Sequence, residues 1–310
     1  MKPVNNNIDV IFGEEKAAVE VNASLGLQYF FGGFFNNATE DVLVSASVGL
    51  VAAASSTAVG LELSTPVTKT GHGADVIIGV ATATTTVSAI ASVAVTALIE
   101  AINQSEISST VSATAFALAI ANATAVGIDG SGVISTGNGA DLIVGEATAN
   151  SIAEAMANAS ADVLTNSDGT SLIDSSVFTT LFSTTEVHAT AIGIRGGEYD
   201  LGNGSDTIIA RATGVGTNIG VQDVLINGGK GHDRFDLQSG TGEIIGGKGL
   251  DLLMLEGSIS DYLFADLDLS LGVNIQNSHN NTNLFVSEVE AFQFAADSGL
   301  TYQYADLTLV

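Results

Sequence analysis

The chain has no cysteine and no tryptophan, and its only prolines are Pro3 and Pro66. Without thiols, neither a disulfide frame nor a thiolate metal site can form. Stability therefore has to come from packing, backbone pairing or oxygen-ligated ions. Basic residues are almost as scarce: 8 Lys+Arg stand against 34 Asp+Glu, a net charge of −26 over 310 residues. A protein that binds a phosphate backbone needs a basic face to release counterions, so no nucleic acid partner is expected. The natural partner of this surface is a cation. A disordered acidic tail would share the charge, but not the 46% hydrophobic content. The chain is expected to fold and to manage its acids.

Signal-peptide features are scarce as well. Met1-Lys2-Pro3-Val4-Asn5-Asn6-Asn7 has no apolar core and no small-residue cleavage site, so a cleaved signal peptide is not expected and export would use another signal. The uncharged stretches Thr82 to Ile99 and Ile107 to Ile128 are long enough to raise the question of a membrane helix. Both are dominated by Ala, Ser and Thr and lack basic flanks, so no membrane-spanning segment is expected.

What the chain does have is self-similarity. Thr57-Ala58-Val59-Gly60-Leu61 returns as Thr124-Ala125-Val126-Gly127-Ile128 and as Thr190-Ala191-Ile192-Gly193-Ile194. About a dozen residues after each comes a Gly-x-Gly-x-Asp turn: Gly71, Gly73 and Asp75; Gly137, Gly139 and Asp141; Gly202, Gly204 and Asp206. The period, read from one aspartate to the next, is about 66 residues. A weaker copy, Asn22 to Leu27 leading to Asn37 through Val44, suggests a first unit only about half as long. Its Asp41 lacks the glycines.

Between the turns the sequence alternates strictly. From Val111 to Ile128 one face is almost wholly Ala and the other is mixed, and a period of two means strand. So small a face leaves room only for a very close neighbouring layer, as in a flattened solenoid. In Ala147 to Leu164, Ile152, Ala155, Met156 and Ala159 recur at helical spacing, so a short inserted helix and a poor strand both stand, with strand the favoured reading.

From Leu201 a period of nine appears. Gly228-Gly229-Lys230-Gly231-His232-Asp233 and Gly246-Gly247-Lys248-Gly249-Leu250-Asp251 stand 18 residues apart, each followed two places later by a large apolar residue, Phe235 or Leu253. Asp206 keeps the same frame, 27 residues before Asp233. These blocks resemble the nonapeptide of RTX (repeats-in-toxin) proteins, Gly-Gly-x-Gly-x-Asp-x-(large apolar)-x, a calcium-binding parallel β-helix repeat. Glycines permit the positive φ of a tight turn, and the turn points its carbonyls inward. The aspartate adds a charged oxygen, and a hard oxygen set without His or Cys selects Ca²⁺ over zinc or copper. The resemblance thus implies Ca²⁺ at Gly228, Gly229, Gly231, Asp233, Gly246, Gly247, Gly249 and Asp251. At the turns of Asp75, Asp141 and Asp206 it leaves two readings, an ion site or a strand cap closed by side-chain hydrogen bonds.

The upstream repeats also look like haemolysin-type calcium-binding repeats of exported proteins, which imply architecture and calcium but no reaction. The tail from Gly257 through Val286 to Phe294 and on to Leu307-Thr308-Leu309-Val310 is similar to the segment that carries an uncleaved signal in type I secretion. It also reads as a plain β cap, and the two roles are compatible. The cluster from Tyr29 to Phe35 reads as a hydrophobic cap on the first coil or as an adhesive end. His72, His188, His232 and His279 have no nucleophile at a recognisable spacing, and no enzyme is expected.

The expectation is an all-β, elongated parallel β-solenoid or β-roll with a C-terminal β cap. Four segments are expected: residues 1–57 as an N-terminal cap and first degenerate coil, 58–218 as long-period repeats, 219–256 as a nonapeptide roll, and 257–310 as a cap with a secretion signal. The expected function is that of a secreted, cell-surface or matrix structural protein that folds on Ca²⁺ after export and self-associates through its solenoid ends. The alternative is a calcium-dependent adhesin or surface-binding module that stays monomeric.

Overall fold

The computed structural model describes residues 8–64, 67–268 and 272–307. The sequence features at Met1 to Asn7, at Pro66 and at Thr308 to Val310 lie outside them. The chain winds through successive coils. The first holds β1 (Val10–Asn36), β2 (Thr39–Leu63) and β3 (Val67–Lys69), and the second holds β4 (Val76–Ile102), β5 (Glu106–Gly130) and β6 (Val133–Ser135). The third is β7 (Leu142–Ser167), β8 (Leu172–Arg195) and β9 (Glu198–Asp200). The coils then shorten to β10 (Thr207–Gly214), β11 (Thr217–Asn227) and β12 (Lys230–Gly231), followed by β13 (Arg234–Leu237), β14 (Gly240–Ile245) and β15 (Lys248–Gly249). The end of the chain carries β16 (Leu252–Leu255), β17 (Leu263–Asp268), β18 (Gly272–Asn277), β19 (Thr282–Ser287), β20 (Ala291–Phe294) and β21 (Tyr302–Gln303).

One sheet stacks β1, β4, β7, β10, β13, β16 and β20 in parallel, and the facing sheet stacks β2, β5, β8, β11, β14 and β19 the same way. Among the described residues, antiparallel strands enter only at the C-terminal end, where β18 and β17 extend the second sheet and β21 the first. This is the expected parallel β-solenoid with its β cap. Tyr262 and Phe294 meet inside that cap with ring planes tilted by 45° and centroids 5.1 Å apart, and Phe292 meets Tyr304 edge-on at 5.3 Å.

The short first unit is not a coil. β1 pairs with β4 along its whole length, from Val10 opposite Val76 to Asn36 opposite Ile102. The first coil is therefore in step with the second, Asp9 preceding Asp75 by 66 residues. Gly26 lies mid-strand opposite Ser92, and Asn37 forms the far corner. Ala147 to Leu164 is strand, because its Ala rows continue those of β4 in register. The aromatic cluster lies inside β1, with Phe31 and Phe35 packed on the core and Tyr29, Phe30 and Phe34 exposed.

The cross-section has two compartments. Beside the Gly-Asp turns runs a column of large aliphatic and aromatic residues, including Ile77, Ile143, Ile208, Phe235 and Leu253, which continues through every coil into the cap. Away from the turns, the first three coils extend into a thin blade filled by Val87 to Ala97 of β4 and Val111 to Ala121 of β5. At about 3.3 Å per residue, strands of this length span about 85 Å. The blade stops at the fourth coil, where β10 and β11 retain only the column. The long-period and nonapeptide regions are thus one solenoid, with and without a blade.

Glycines pinch the boundary between the two compartments. Gly13, Gly79 and Gly145 stand in register on one sheet and face Gly60, Gly127 and Gly193 on the other. A Cβ on Gly127 would sit 2.5 Å from both the Glu146 amide nitrogen and the Gly193 carbonyl oxygen, so only hydrogen fits. Gly127→Ala is expected to force the sheets apart at a cost of about 1–3 kcal/mol or more. Gly49→Ala, whose added methyl would meet nothing within 4 Å, should change stability by less than about 0.5 kcal/mol. Denaturation midpoints of the two variants check this, and equal midpoints would remove the pinch.

Candidate metal centre

Five glycine corners stack on one side of the column. Their glycines have left-handed φ: Gly71 and Gly73 (113° and 140°), Gly137 and Gly139 (92° and 154°), Gly202 and Gly204 (87° and 158°), Gly229 and Gly231 (90° and 146°), and Gly247 and Gly249 (100° and 153°). Side chains avoid this region, which explains the spacing of the motif. The corner tips are joined by His72, Asn138 and Asn203. The Asn138 amide lies 2.6 Å from His72 Nδ1, and the Asn203 amide donates to Asn138 Oδ1 at 2.5 Å.

Behind the tips runs a ladder of carboxylates. The Asp9 amide donates to Asp75 Oδ1 (2.9 Å), Asp75 to Asp141 Oδ1 (2.8 Å), and Asp141 to Asp206 Oδ1 (2.7 Å). Asp206 donates to Asp233 Oδ1 and Asp233 to Asp251 Oδ1, both at 2.8 Å. Glu290 ends the series by accepting the Asp251 amide on Oε2 at 2.8 Å. Each carboxylate therefore spends one oxygen on the coil before it. The other oxygen, Oδ2 of Asp75, Asp141, Asp206, Asp233 and Asp251, is buried without any hydrogen-bond partner.

The five predicted aspartates are brought together as one row, including the three whose role the sequence left open. Asp9 and Glu290 join it unforeseen. Asp9 has no glycines before it, and Glu290 follows a different turn, so only the long-period step back from Asp75 could have found the former. Asp41 lies exposed in β2, near the far corner.

Gly228 and Gly246 do not have positive φ and are needed for space. A Cβ on Gly228 would lie 2.6 Å from Asp233 Oδ2 and closer still to the Gly246 carbonyl oxygen. One on Gly246 would lie 2.8 Å from Asp251 Oδ2 and press on the Glu288 carbonyl oxygen. Each of these hollows is thus bordered by a partnerless carboxylate oxygen and a backbone carbonyl. Among the described residues, no three His, Cys, Asp or Glu side chains converge. A cation here would draw one charged oxygen per step and take its remaining ligands from the backbone, as a hard ion such as Ca²⁺ accepts.

The electrostatics reflect an uncompensated row. Burial pushes the Asp206 carboxyl from its ordinary 3.8 up to about 7, against the Asp141 N–H that holds it down and with help from the Asp141 and Asp233 charges. Burial likewise raises Asp233 to about 6 and raises Asp251, where Glu290 and Glu288 add to the effect. A raised carboxyl holds its proton more tightly folded than unfolded, so in chelator stability is highest below about pH 4 and falls as pH rises towards 7. Thermal melts in chelator from pH 4 to pH 8 should show this fall, and Asp206→Asn and Asp233→Asn should flatten it. A melting temperature that rises across the interval would contradict the ladder's electrostatics.

Comparison with known proteins returns no matching family model, no matching curated protein and no matching solved structure.

Proposed function

We propose that this chain is a calcium-stabilised structural solenoid of the RTX type, exported by the cell, folded in the calcium-rich exterior and self-associating at the cell surface or in its matrix. The observation that carries the reading is the row of five buried Oδ2 atoms with no partner. A buried carboxylate without compensation is costly, and five in register, two of them beside the glycine hollows of Gly228 and Gly246, are what a file of hard cations would neutralise. Asp75, Asp141, Asp206, Asp233 and Asp251 would supply the charged oxygens, and the glycine corners the carbonyls. When bound, Ca²⁺ would supply the positive charge that offsets the row. Where free Ca²⁺ is low, as inside a cell, repulsion along the row keeps the corners loose enough for export. Outside, ion binding adds directly to folding free energy.

A monomeric, calcium-dependent surface binder is the second reading. It is favoured by the outer face of the second sheet, where Thr57, Thr124, Thr190 and Thr217 stand in one row across four coils.

Circular dichroism and calorimetry with Ca²⁺, Mg²⁺ and chelator test the ion. Ca²⁺ should raise the melting temperature, with each site adding about 2.7 kcal/mol at a hundredfold excess over its Kd. Mg²⁺, which gives up its waters reluctantly, should do much less. Asp233→Asn with Asp251→Asn should remove part of the Ca²⁺ response while keeping the Oδ1 ladder. Identical melts in Ca²⁺ and chelator would end the proposal.

A further inference from the structure

The blade ends in a step. β10 pairs with β7 only as far as Gly214 opposite Ala149, and β11 meets β8 only from Thr217 opposite Thr190 onward. Residues 150–167 of β7 and 172–188 of β8 therefore pair on one side only, and together they form a ledge beside the narrow end of the column. Large apolar side chains are prominent on it. Ile152, Met156 and Leu164 on β7 and Phe178, Leu181 and Phe182 on β8 are all more than half exposed. Its inner row leaves Ala155, Ala157 and Ala159 only partly covered. Free strand edges are normally blunted by charge, proline or cover; these two segments contain no Lys, Arg or Pro, and their formal charges are the four acids Glu154, Asp162, Asp174 and Glu186.

We infer that the ledge is the contact for a second copy of this chain, related by a two-fold axis perpendicular to the sheets. This rests on the self-association in the reading above and not on the ion. The step itself selects the symmetry. A copy laid head to tail, with β1 continuing the register of β4 on β7, would drive its residues 10–17 into the place of β10. A two-fold axis along the strands would superpose the two columns. The axis perpendicular to the sheets pairs β7 with β7 and β8 with β8, antiparallel, and puts the two columns at opposite ends. Each column then stands beside the far corner of the other copy's blade, and the exposed Val215 corner of β10–β11 meets it. Edges of about 60 Å on two sheets bury about 2,000 Å² in total, at the upper end of what stable complexes use.

The test uses the full chain in Ca²⁺. Light scattering should give twice the 31.3 kDa chain mass. Leu181→Lys, which points a charge inward at the ledge, should return single chains, while Leu27→Lys on the first-coil edge should leave the pair intact. Because the chain has no cysteine, Asn158→Cys or Ser160→Cys near the axis should form a disulfide-linked dimer on oxidation. Ser92→Cys, one strand further back on the same face, should not. A folded wild type that stays a single chain overturns the inference. So does an association broken by Leu27→Lys rather than Leu181→Lys, or one in which neither ledge cysteine crosslinks. A chain that keeps its β signal and its dimer in chelator overturns the calcium reading alone, whereas a calcium-dependent fold that remains a single chain overturns the ledge alone.

Discussion

The interaction on which this molecule depends is the acceptance of one coil's backbone N–H by the next coil's aspartate. A parallel solenoid must repeat its corner at every level, and a glycine corner has many conformations to lose. This carboxylate bond anchors that corner to its neighbour at a fixed height, from the Asp9 amide through to Glu290. The same bond has a consequence at the second oxygen. Since the side chain must turn inward to reach the amide, Oδ2 is carried into the protein with nothing to meet it. Order along the stack and charge within it are thus produced by one placement, and a bound cation would leave the first intact while relieving the second.

Column and blade are held by different physics. The column is a conventional core of Ile, Leu, Phe and Tyr. The blade buries mainly Ala and Val, whose small side chains contribute little transfer free energy each. Its cohesion comes from continuous backbone pairing, which takes in all 27 residues of β1 and all 26 residues of β7 against β4, and from close approach of two nearly flat layers. Buried hydroxyls in the blade are satisfied internally, as where Ser56 meets Thr85 at 2.7 Å and Ser151 donates to the His188 carbonyl. The glycine pinch lets two cores of unequal thickness share the same strands without a step in the backbone.

Much of this was legible because each physical requirement left a residue type at a fixed interval. The corner needs positive φ, so the Gly-x-Gly-x-Asp spacing was visible, and Asp75, Asp141, Asp206, Asp233 and Asp251 could be named from it. The blade needs Ala on one side, so strand and close layering could be read from Val111 to Ile128. What stayed hidden lies where the requirement is met by other means. Asp9 sits before the first strand with no glycine corner to mark it, and the weak copy at Asn37 points to the wrong end of the coil. The Gly60, Gly127 and Gly193 repeat is plain in the sequence, but its purpose depends on Gly79 and Gly145, which only the winding of the chain brings opposite. The helical spacing of Ile152 and Met156 was misleading for a related reason. On the ledge the outer row mixes Ile152, Met156 and Leu164 with Glu154, Asn158 and Asp162, and the inner row is almost only Ala, so the usual contrast between inner and outer positions is lost.

That loss of contrast bears on why the coils shorten. Had all coils carried blades, the stack would have presented a full-width edge at its C-terminal end, open to endless parallel addition. Retracting the blade after the third coil leaves an edge that the column overhangs at one end, so the chain's own first coil cannot continue the stack there in register. An edge with exposed large apolar side chains that is sterically closed to propagation but open to a two-fold mate favours a finite pair over a fibre at that position. Growth beyond a pair would then have to use the other edge, along β1 and β2, where Glu14, Glu15 and Lys16 already place charge beside the exposed strand.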